Sequence, residues 1–573
     1  MLEKLLSARL QPAFSALAGH YFDPVVRRSQ HADFQADGAL ALARRLGRDP
    51  REVAQAVLDG SELADLAESA TVQGPGFINV TLSTAALQRQ LDAMAGDPRL
   101  AVKETDDRQR ILVDYSGPNV AKELHIGHLR STVIGDALVR LLEWLGHDVI
   151  RVNHVGDWGT PFGMLIEHLA DVGEEAAAHE LSMGDLTAFY QAARVKFDSD
   201  PAFKQRAQLR VVALHGGDEA TLRLWRLLVS ESEKYFMAEY ARLGVTLSDG
   251  DFTGESFYNR MLPGVLQGLE EKGLLHESDG ALCAFPQGFT GRDGNPMPVI
   301  VRKSDGGHNY STTDLAAVRY RVDSLKVDRI LYVVGTPQAQ HFAMIIQTAR
   351  EAGWLPESVQ ATHVGFGLIL GKDGKLFATR AGGVVKLSAL LDEAVARAAA
   401  VVAEKNPDLP ETERAQVARA VGIGAVKYAD LASDRIKDYV FDWDRMLSTT
   451  GDSGAYLQYT YARIQSLQRK ADSQGMAGSR KSEPIEVTEP AERALAVQIL
   501  GFPTAVELAA RTLQPHRLTG YLQALCSAYS GFWDACPVLT SERAGSRLAL
   551  SELTARVVER GLDLLGIQAL SRM

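Results

Sequence analysis

Residues 109–153 read QRILVDYSGPNVAKELHIGHLRSTVIGDALVRLLEWLGHDVIRVN. The run QRILVDYS has the apolar, β-branched character of a strand, and DVIRVN repeats it at the far end. Between them lie a loop marked by Gly117-Pro118 and a long amphipathic helical pattern from about Leu129 to Leu145, closed by Gly146. Strand, helix and strand in that order make a βαβ unit. Its parallel strands and right-handed crossover bring the carboxyl end of the first strand beside the start of the helix. Ligands of open α/β sheets bind in that crevice.

Strand-like character returns downstream in VRKSDGGHNYSTTD and RILYVVGT, near 300 to 336. The intervening chain is helix-rich, with Leu222, Trp225, Val229, Phe236, Tyr240 and Leu243 at helical spacing before Gly244. It reads as a helical insertion, near 165–250, in an α/β domain spanning 106–440. Upstream, residues 1–105 read as a small α/β unit with a turn at Gly74-Pro75-Gly76, then a strand, Phe77-Ile78-Asn79-Val80. The charged segment KETDDRQR sets it apart. From about 395 onward helical patterns dominate, so residues 441–573 read as a helical bundle, interrupted by the loop ADSQGMAGSRKSEP.

The chain of 573 residues is 46% apolar and 23% charged, which excludes general disorder and a small disulfide scaffold. With 61 Lys and Arg against 72 Asp and Glu, a net charge of -11 repels polyanions as a whole, so nucleic acid must dock on a local basic stripe. Three cysteines, Cys283, Cys526 and Cys536, lack CxxC spacing and argue against a disulfide framework or a thiolate zinc site. No uninterrupted apolar stretch is long enough to cross a bilayer, and MLEKLLSARLQPAFSALAG carries its apolar residues on one helical face instead of in a signal-peptide core. A cytoplasmic protein without membrane association is expected.

The loop leading into the helix places His125 and His128, with Gly127 between them, at a helix N-terminus. Backbone N–H groups and the helix dipole favour an anion there, and two imidazoles can donate to phosphate oxygens. Gly127 lets a flat base approach the backbone. Taken alone, HxxH is more often structural. Its position between strand and helix, with Lys122 just upstream, favours a nucleotide triphosphate. Zinc is disfavoured because HExxH is absent, dinucleotide binding because GxGxxG is absent, and a P-loop because Gly371-Lys372-Asp373 lacks its Ser/Thr.

His125-Ile126-Gly127-His128 matches the HIGH signature of class I aminoacyl-tRNA synthetases, and the surrounding DYSGPNVAKELHIGHLRSTVIGDALVRLLEWLGHDVIRVNHVGDWGTPFG resembles the arginyl-tRNA synthetases in particular. The resemblance continues through GESFY, NYSTTDLAA, GKDGKLFATRAGG, GDSGAYLQYTYAR and the final Arg572-Met573. It implies a Rossmann-like catalytic domain with a helical insertion, an N-terminal additional domain and an all-α anticodon-binding domain. It also implies ATP, L-arginine and tRNA(Arg) as substrates, Mg2+ accompanying ATP, no permanently bound cofactor or protein metal site, and a monomer.

The site residues follow the resemblance. His125 and His128 would donate to phosphate and adenylate oxygens, with Gly127 beside the nucleotide. Phe377-Ala378-Thr379-Arg380-Ala381 resembles a degraded KMSKS loop, with Arg380 near the place of its second lysine; Lys122 would supply the compensating cation, and Lys372 and Lys375 are auxiliaries. Tyr310 and Asp314, four apart, would hold the guanidinium, with Glu255 assisting; Asp114 and Asn119 would hold the α-amino group, and Gln338 is a further candidate. A guanidinium fork rewards a bidentate carboxylate, which lysine's ammonium cannot match. Phe77 and Asn79 would meet the D-arm side of the tRNA elbow. Tyr456, Tyr459 and Tyr461, with Arg463, Arg469 and Lys470, offer stacking faces and charge to the anticodon, near which Met573 ends the chain; at helical spacing some of these tyrosines belong to the core.

Overall fold

The computed structural model describes residues 2–173, 186–292, 294–304, 306–378, 384–405, 407–476 and 484–573. The chain forms two compact units: Thr105–Leu447 with Leu564–Ile567, and Met1–Glu104 with Ser448–Asp563 and Gln568–Met573.

The first unit is built on a five-stranded parallel sheet. In chain order its strands are β1 (Arg110–Asp114), β2 (Asp148–Val155), β3 (Phe252–Gly254), β4 (Arg329–Tyr332) and β5 (Gln360–His363). They lie side by side as β5-β4-β1-β2-β3, with Asp114 level with both Val152 and Tyr332. The chain moves outward from β1 to β3, then returns to the other side of β1 as β4. The switch point therefore lies at the carboxyl ends of β1 and β4, where such sheets take ligands.

Helix α1 (Ile126–Trp144) makes the first crossover. Its start falls three residues before the expected Leu129, because the cap is His125, a residue outside the usual Ser, Thr, Asp and Asn set. Nor is it amphipathic: 14 of its 19 residues are buried, since the sheet covers one side and the helices Leu387–Lys405 and Glu411–Leu431 pack on the helix as well. Gly135 is needed for this packing, as a Cβ there would lie 2.4 Å from the Cβ of Tyr115.

The insertion consists of the described helices Thr160–Val172, Leu186–Ser199, Pro201–His215 and α2 (Glu219–Leu243). Phe162, Leu165, Phe189, Phe203 and Leu228 form its core. Gly244 ends α2 in a left-handed conformation, φ 63°, as its place in the pattern predicts. Of the strand-like segment VRKSDGGHNYSTTD, only the start is strand. Val299–Arg302 joins a separate antiparallel sheet beside Ala281–Ala284 and His276–Ser278, and the chain then turns into helix α3 (Tyr310–Asp323). The reversal is made at Gly306-Gly307, where Lys303 N donates to Gly307 O, and Asn309 caps the helix by accepting from Tyr310 N. RILYVVGT supplies β4.

In the second unit, strands Val26–Arg28, Phe34–Ala36, Phe77–Leu82 and Ala67–Gln73 make an antiparallel sheet in that spatial order. Residues from the other end of the chain share this unit: Arg493 donates to Asp33 at 2.6 Å, and Ile485 N donates to Asp92 at 3.1 Å. The run Pro490–Thr512 is long and apolar enough to cross a membrane, but it is broken at Leu500-Gly501 into two helices and its most apolar stretch is mostly buried in the fold.

Candidate active site

A cavity of about 540 Å³ opens at the switch point. Its floor is Asp114 to Gly117 from the end of β1 and Val333 to Gly335 from the end of β4; Gly127 and Ser131 come from α1, His154 from β2, and Glu255, Tyr310, Asp314, Gln338, His341, Phe342 and Phe366 complete the wall. The loop after β1 is held in an uncommon conformation. Ser116 has φ 73°, which a side chain tolerates only when its neighbours impose it. Ser131 Oγ accepts from Ser116 N at 2.9 Å, Thr132 donates to Ser116 Oγ, and the Tyr240 hydroxyl of α2 lies 2.6 Å from the same oxygen.

The two histidines cap α1 reciprocally. His125 Nδ1 accepts from Gly127 N at 3.0 Å, and His128 Nδ1 accepts from His125 N at 3.1 Å. With both Nδ1 atoms accepting, each neutral ring carries its proton on Nε2, free to donate outward. Burial, with His125 alongside, pushes His128 down to about 3, and burial and Lys122 lower His125. Both rings are thus neutral donors. Gly127 has a further reason to be glycine: a Cβ would sit 2.7 Å from the His125 ring.

The acidic wall is assembled from distant segments. Asp314, in the first turns of α3, pairs with His341 Nε2 at 2.6 Å, and the Tyr310 ring lies 5.0 Å from that imidazole. Glu255 begins the short helix Glu255–Met261. Burial, then the neighbouring charges of Asp157 and Asp314, raises its carboxyl to about 7. Asp114 is buried and accepts from Arg321 Nη2 at 2.6 Å, so part of its charge is already met. Arg321 itself is 1% exposed and lies over the Tyr332 ring.

Asp114, Gly127, Glu255, Tyr310, Asp314 and Gln338 thus come together, whereas Asn119, Lys122, His125, His128 and Lys372 are not on the cavity lining. Asn119 is exposed and bridges to Gly156. The Lys122 ammonium lies 4.9 Å from the Tyr190 ring centre. Lys372 pairs with Asp442 at 3.1 Å, and Arg380 lies outside the described residues. Sequence reasoning missed His154, His341, Arg321 and Asp157. The usable signal for His154 and Asp157 was their place at the carboxyl end of β2.

In the other unit Phe77 is half-buried. Asn79 is only 4% exposed and its Nδ2 donates to Gln73 Oε1, so the side chain lies inside the sheet and is not displayed for a base. Tyr461 is buried and donates to Glu559, Tyr456 lies 3.1 Å from Ser530 Oγ, and Tyr459, 41% exposed, is the tyrosine left on the surface. Met573 is half-buried, and Arg469 donates to Ser571 O beside it. Arg463 stacks on Trp533 at 4.0 Å, over a cavity of about 480 Å³ that Lys470 also lines.

A parallel-sheet switch point flanked by a HIGH-capped helix defines a class I aminoacyl-tRNA synthetase, and comparison with known proteins agrees. Residues 91–443 match the family described as tRNA synthetases class I (R), catalytic domain; residues 1–82 match the arginyl tRNA synthetase N terminal domain, and residues 457–573 the DALR anticodon binding domain. The arginine–tRNA ligase of Thermobifida fusca (strain YX) is 53% identical over 100% of this chain and 99% of its own length, and that of Laribacter hongkongensis (strain HLHK9) is 47% identical over 100% of both. Arginyl-tRNA synthetase structures from Plasmodium falciparum (TM-score 0.85, 28% identity, 100% of this chain and 99% of that one) and Thermus thermophilus (0.83, 26%, 100% of both) superpose on the whole chain. The chain belongs to the arginyl-tRNA synthetase family. Its activity is the ATP-dependent attachment of L-arginine to tRNA(Arg).

Proposed function

We propose that the switch-point cavity seats arginine, with its guanidinium toward Asp314, Glu255 and Tyr310, its α-amino group toward Asp114 and Asn119, and Gln338 alongside. The observation that carries this reading is the convergence of Asp114, Glu255, Tyr310 and Asp314 on one cavity, where burial first, and then the charges of Asp157 and Asp314, raise the Glu255 carboxyl to about 7. A bound cation relieves that charge, and a forked one satisfies several acceptors together.

ATP, entering as its Mg2+ complex held largely through phosphates and water, lies across the start of α1 near Gly127. An arginine carboxylate oxygen attacks the α-phosphorus; the bond to the β-phosphate oxygen breaks, and pyrophosphate leaves. His125 and His128 donate through Nε2 to phosphate oxygens as charge shifts, and Lys122, Lys372 and Arg380 supply cations on the pyrophosphate side. The 2′-hydroxyl of the terminal adenosine then attacks the adenylate carbonyl, and AMP leaves.

In the same reading, residues 1–105 meet the D-arm side of the tRNA through Phe77, residues 106–440 catalyse, and residues 441–573 bind the anticodon through Tyr459, Tyr456 and the segment at Met573. Asn79, buried in its strand, donates to Gln73, the cross-strand partner of Phe77. The enzyme works as a cytoplasmic monomer; its described cysteines are free and buried, in keeping with a reducing compartment.

Purified protein with tRNA(Arg) should show arginine-dependent exchange between pyrophosphate and ATP and should exchange poorly without the tRNA. Robust exchange with another amino acid in place of arginine removes the proposal.

A further inference from the structure

Asp157 lies just past the end of β2, fully committed to the segment that carries Glu255. Its Oδ1 accepts from Ser256 N at 2.8 Å and its Oδ2 from Ser256 Oγ at 2.6 Å, so both oxygens grip the residue next to Glu255. The grip requires glycine at 254, where a Cβ would fall 2.0 Å from Oδ2. From the insertion, Trp225 Nε1 donates to the Asp157 carbonyl at 2.8 Å and fixes the backbone on the other side. Asp157 is 4% exposed, and unlike Asp114, which accepts from the Arg321 guanidinium, its carboxylate accepts from the neutral N–H and hydroxyl of Ser256.

Resting on the placement of arginine argued above, we propose that Asp157 is a positioning residue for arginine recognition, clamping Ser256 so that Glu255 faces the guanidinium and adding its own negative charge behind that carboxylate. A neutral hydrogen-bonding residue would supply the clamp alone. The charge is what makes the wall attractive to a cation over a distance longer than a hydrogen bond. Its cost falls on the empty site, because burial and the adjacent carboxylates of Asp157 and Asp314 keep Glu255 partly protonated until a cation arrives. The other titratable groups on this wall are His154 beside Asp157, His341 paired with Asp314, and the Asp114–Arg321 pair; Glu233 on α2 also feels Asp157.

The test is aminoacylation kcat/KM for arginine from pH 6 to 8.5, with the KM for ATP followed alongside, in D157N, S256A and E255Q. D157N keeps an acceptor for Ser256 N while removing the charge. It should move the midpoint of the arginine profile to more acidic pH by about one pH unit. S256A should raise the arginine KM about threefold to tenfold by loosening the clamp, with the ATP KM unchanged within about twofold. E255Q should flatten the profile. If E255Q flattens it while D157N leaves the midpoint unmoved, the role given to Asp157 is overturned and the cavity assignment stands. An E255Q profile identical to that of the unaltered enzyme overturns the cavity assignment instead.

Discussion

Asp314 and Glu255 reach the same hollow by different routes, and their substitution should tell them apart. Asp314 is held by His341 at 2.6 Å, so its carboxylate is oriented before substrate arrives. On the proposed seating of arginine, Asp314→Asn removes charge at the guanidinium only, and should raise the arginine KM by about tenfold to a hundredfold with little change in the ATP KM. Equal effects on both constants, measured by steady-state aminoacylation, place the residue elsewhere. On the same seating, Glu255 sets the pH dependence of arginine binding. Its carboxyl stands at about 7 in the free enzyme, and a guanidinium favours the ionised form. Arginine affinity should therefore climb as pH rises toward 7 and level off above it, whereas His128, held near 3, is neutral throughout and leaves the ATP KM flat across the same range. The histidines and the Tyr310, Asp314 spacing were legible in the sequence because each pair is local. Asp157, Arg321 and His341 were not, because their meaning comes from partners 27 or more positions away: Asp314 for His341, Ser256 for Asp157, Asp114 for Arg321.

At the scale of elements, α1 is the part on which the site depends. It carries the paired imidazoles at its start, locks Ser116 through Ser131 and Thr132, and presses Gly135 against Tyr115. Gly135→Ala should overpack this contact and cost about 1 to 3 kcal/mol, read as a lowered Tm, because the nearest atoms are the Cβ and ring of Tyr115, which sits in the β1 loop and cannot swing aside freely. The arginine KM should rise with it, since that loop forms the cavity floor. An unchanged Tm would show that the helix and loop are not in close contact. The βαβ unit was visible in the sequence through period and punctuation. That the strand Val299–Arg302 belongs to a separate antiparallel sheet is not legible, because an apolar run specifies a strand but not its neighbour. The buried face of α1 was underestimated for a related reason: helices from residues beyond 386 cover it, and no window of local sequence contains them.

Over the whole molecule the charge balance and the tRNA substrate pull in opposite directions. A net charge of -11 offers no general attraction to a polyanion, so affinity for tRNA must come from local cations. On the unit formed by the two ends of the chain, Arg463 stacked on Trp533, with Lys470 on the same cavity and exposed Tyr459 on the same helix, supplies charge and aromatic surface. That the chain ends share a unit was not legible in the sequence, since contacts such as Arg493 with Asp33 join residues 460 positions apart. Phosphate contacts release counterions, and the tRNA KM should therefore rise about tenfold to a hundredfold between 50 and 200 mM KCl if roughly two to four such contacts operate. On the proposed seating, arginine meets its carboxylates inside a cavity, where salt screens far less, and its KM should stay within about twofold over the same range. Kinetics at fixed pH with each substrate varied in turn separate the two. A tRNA KM as insensitive to salt as that of arginine would mean that shape and stacking, not phosphate charge, hold the nucleic acid. Lys470→Ala should then leave the slope of log KM against log salt unchanged, instead of flattening it by about one contact's share.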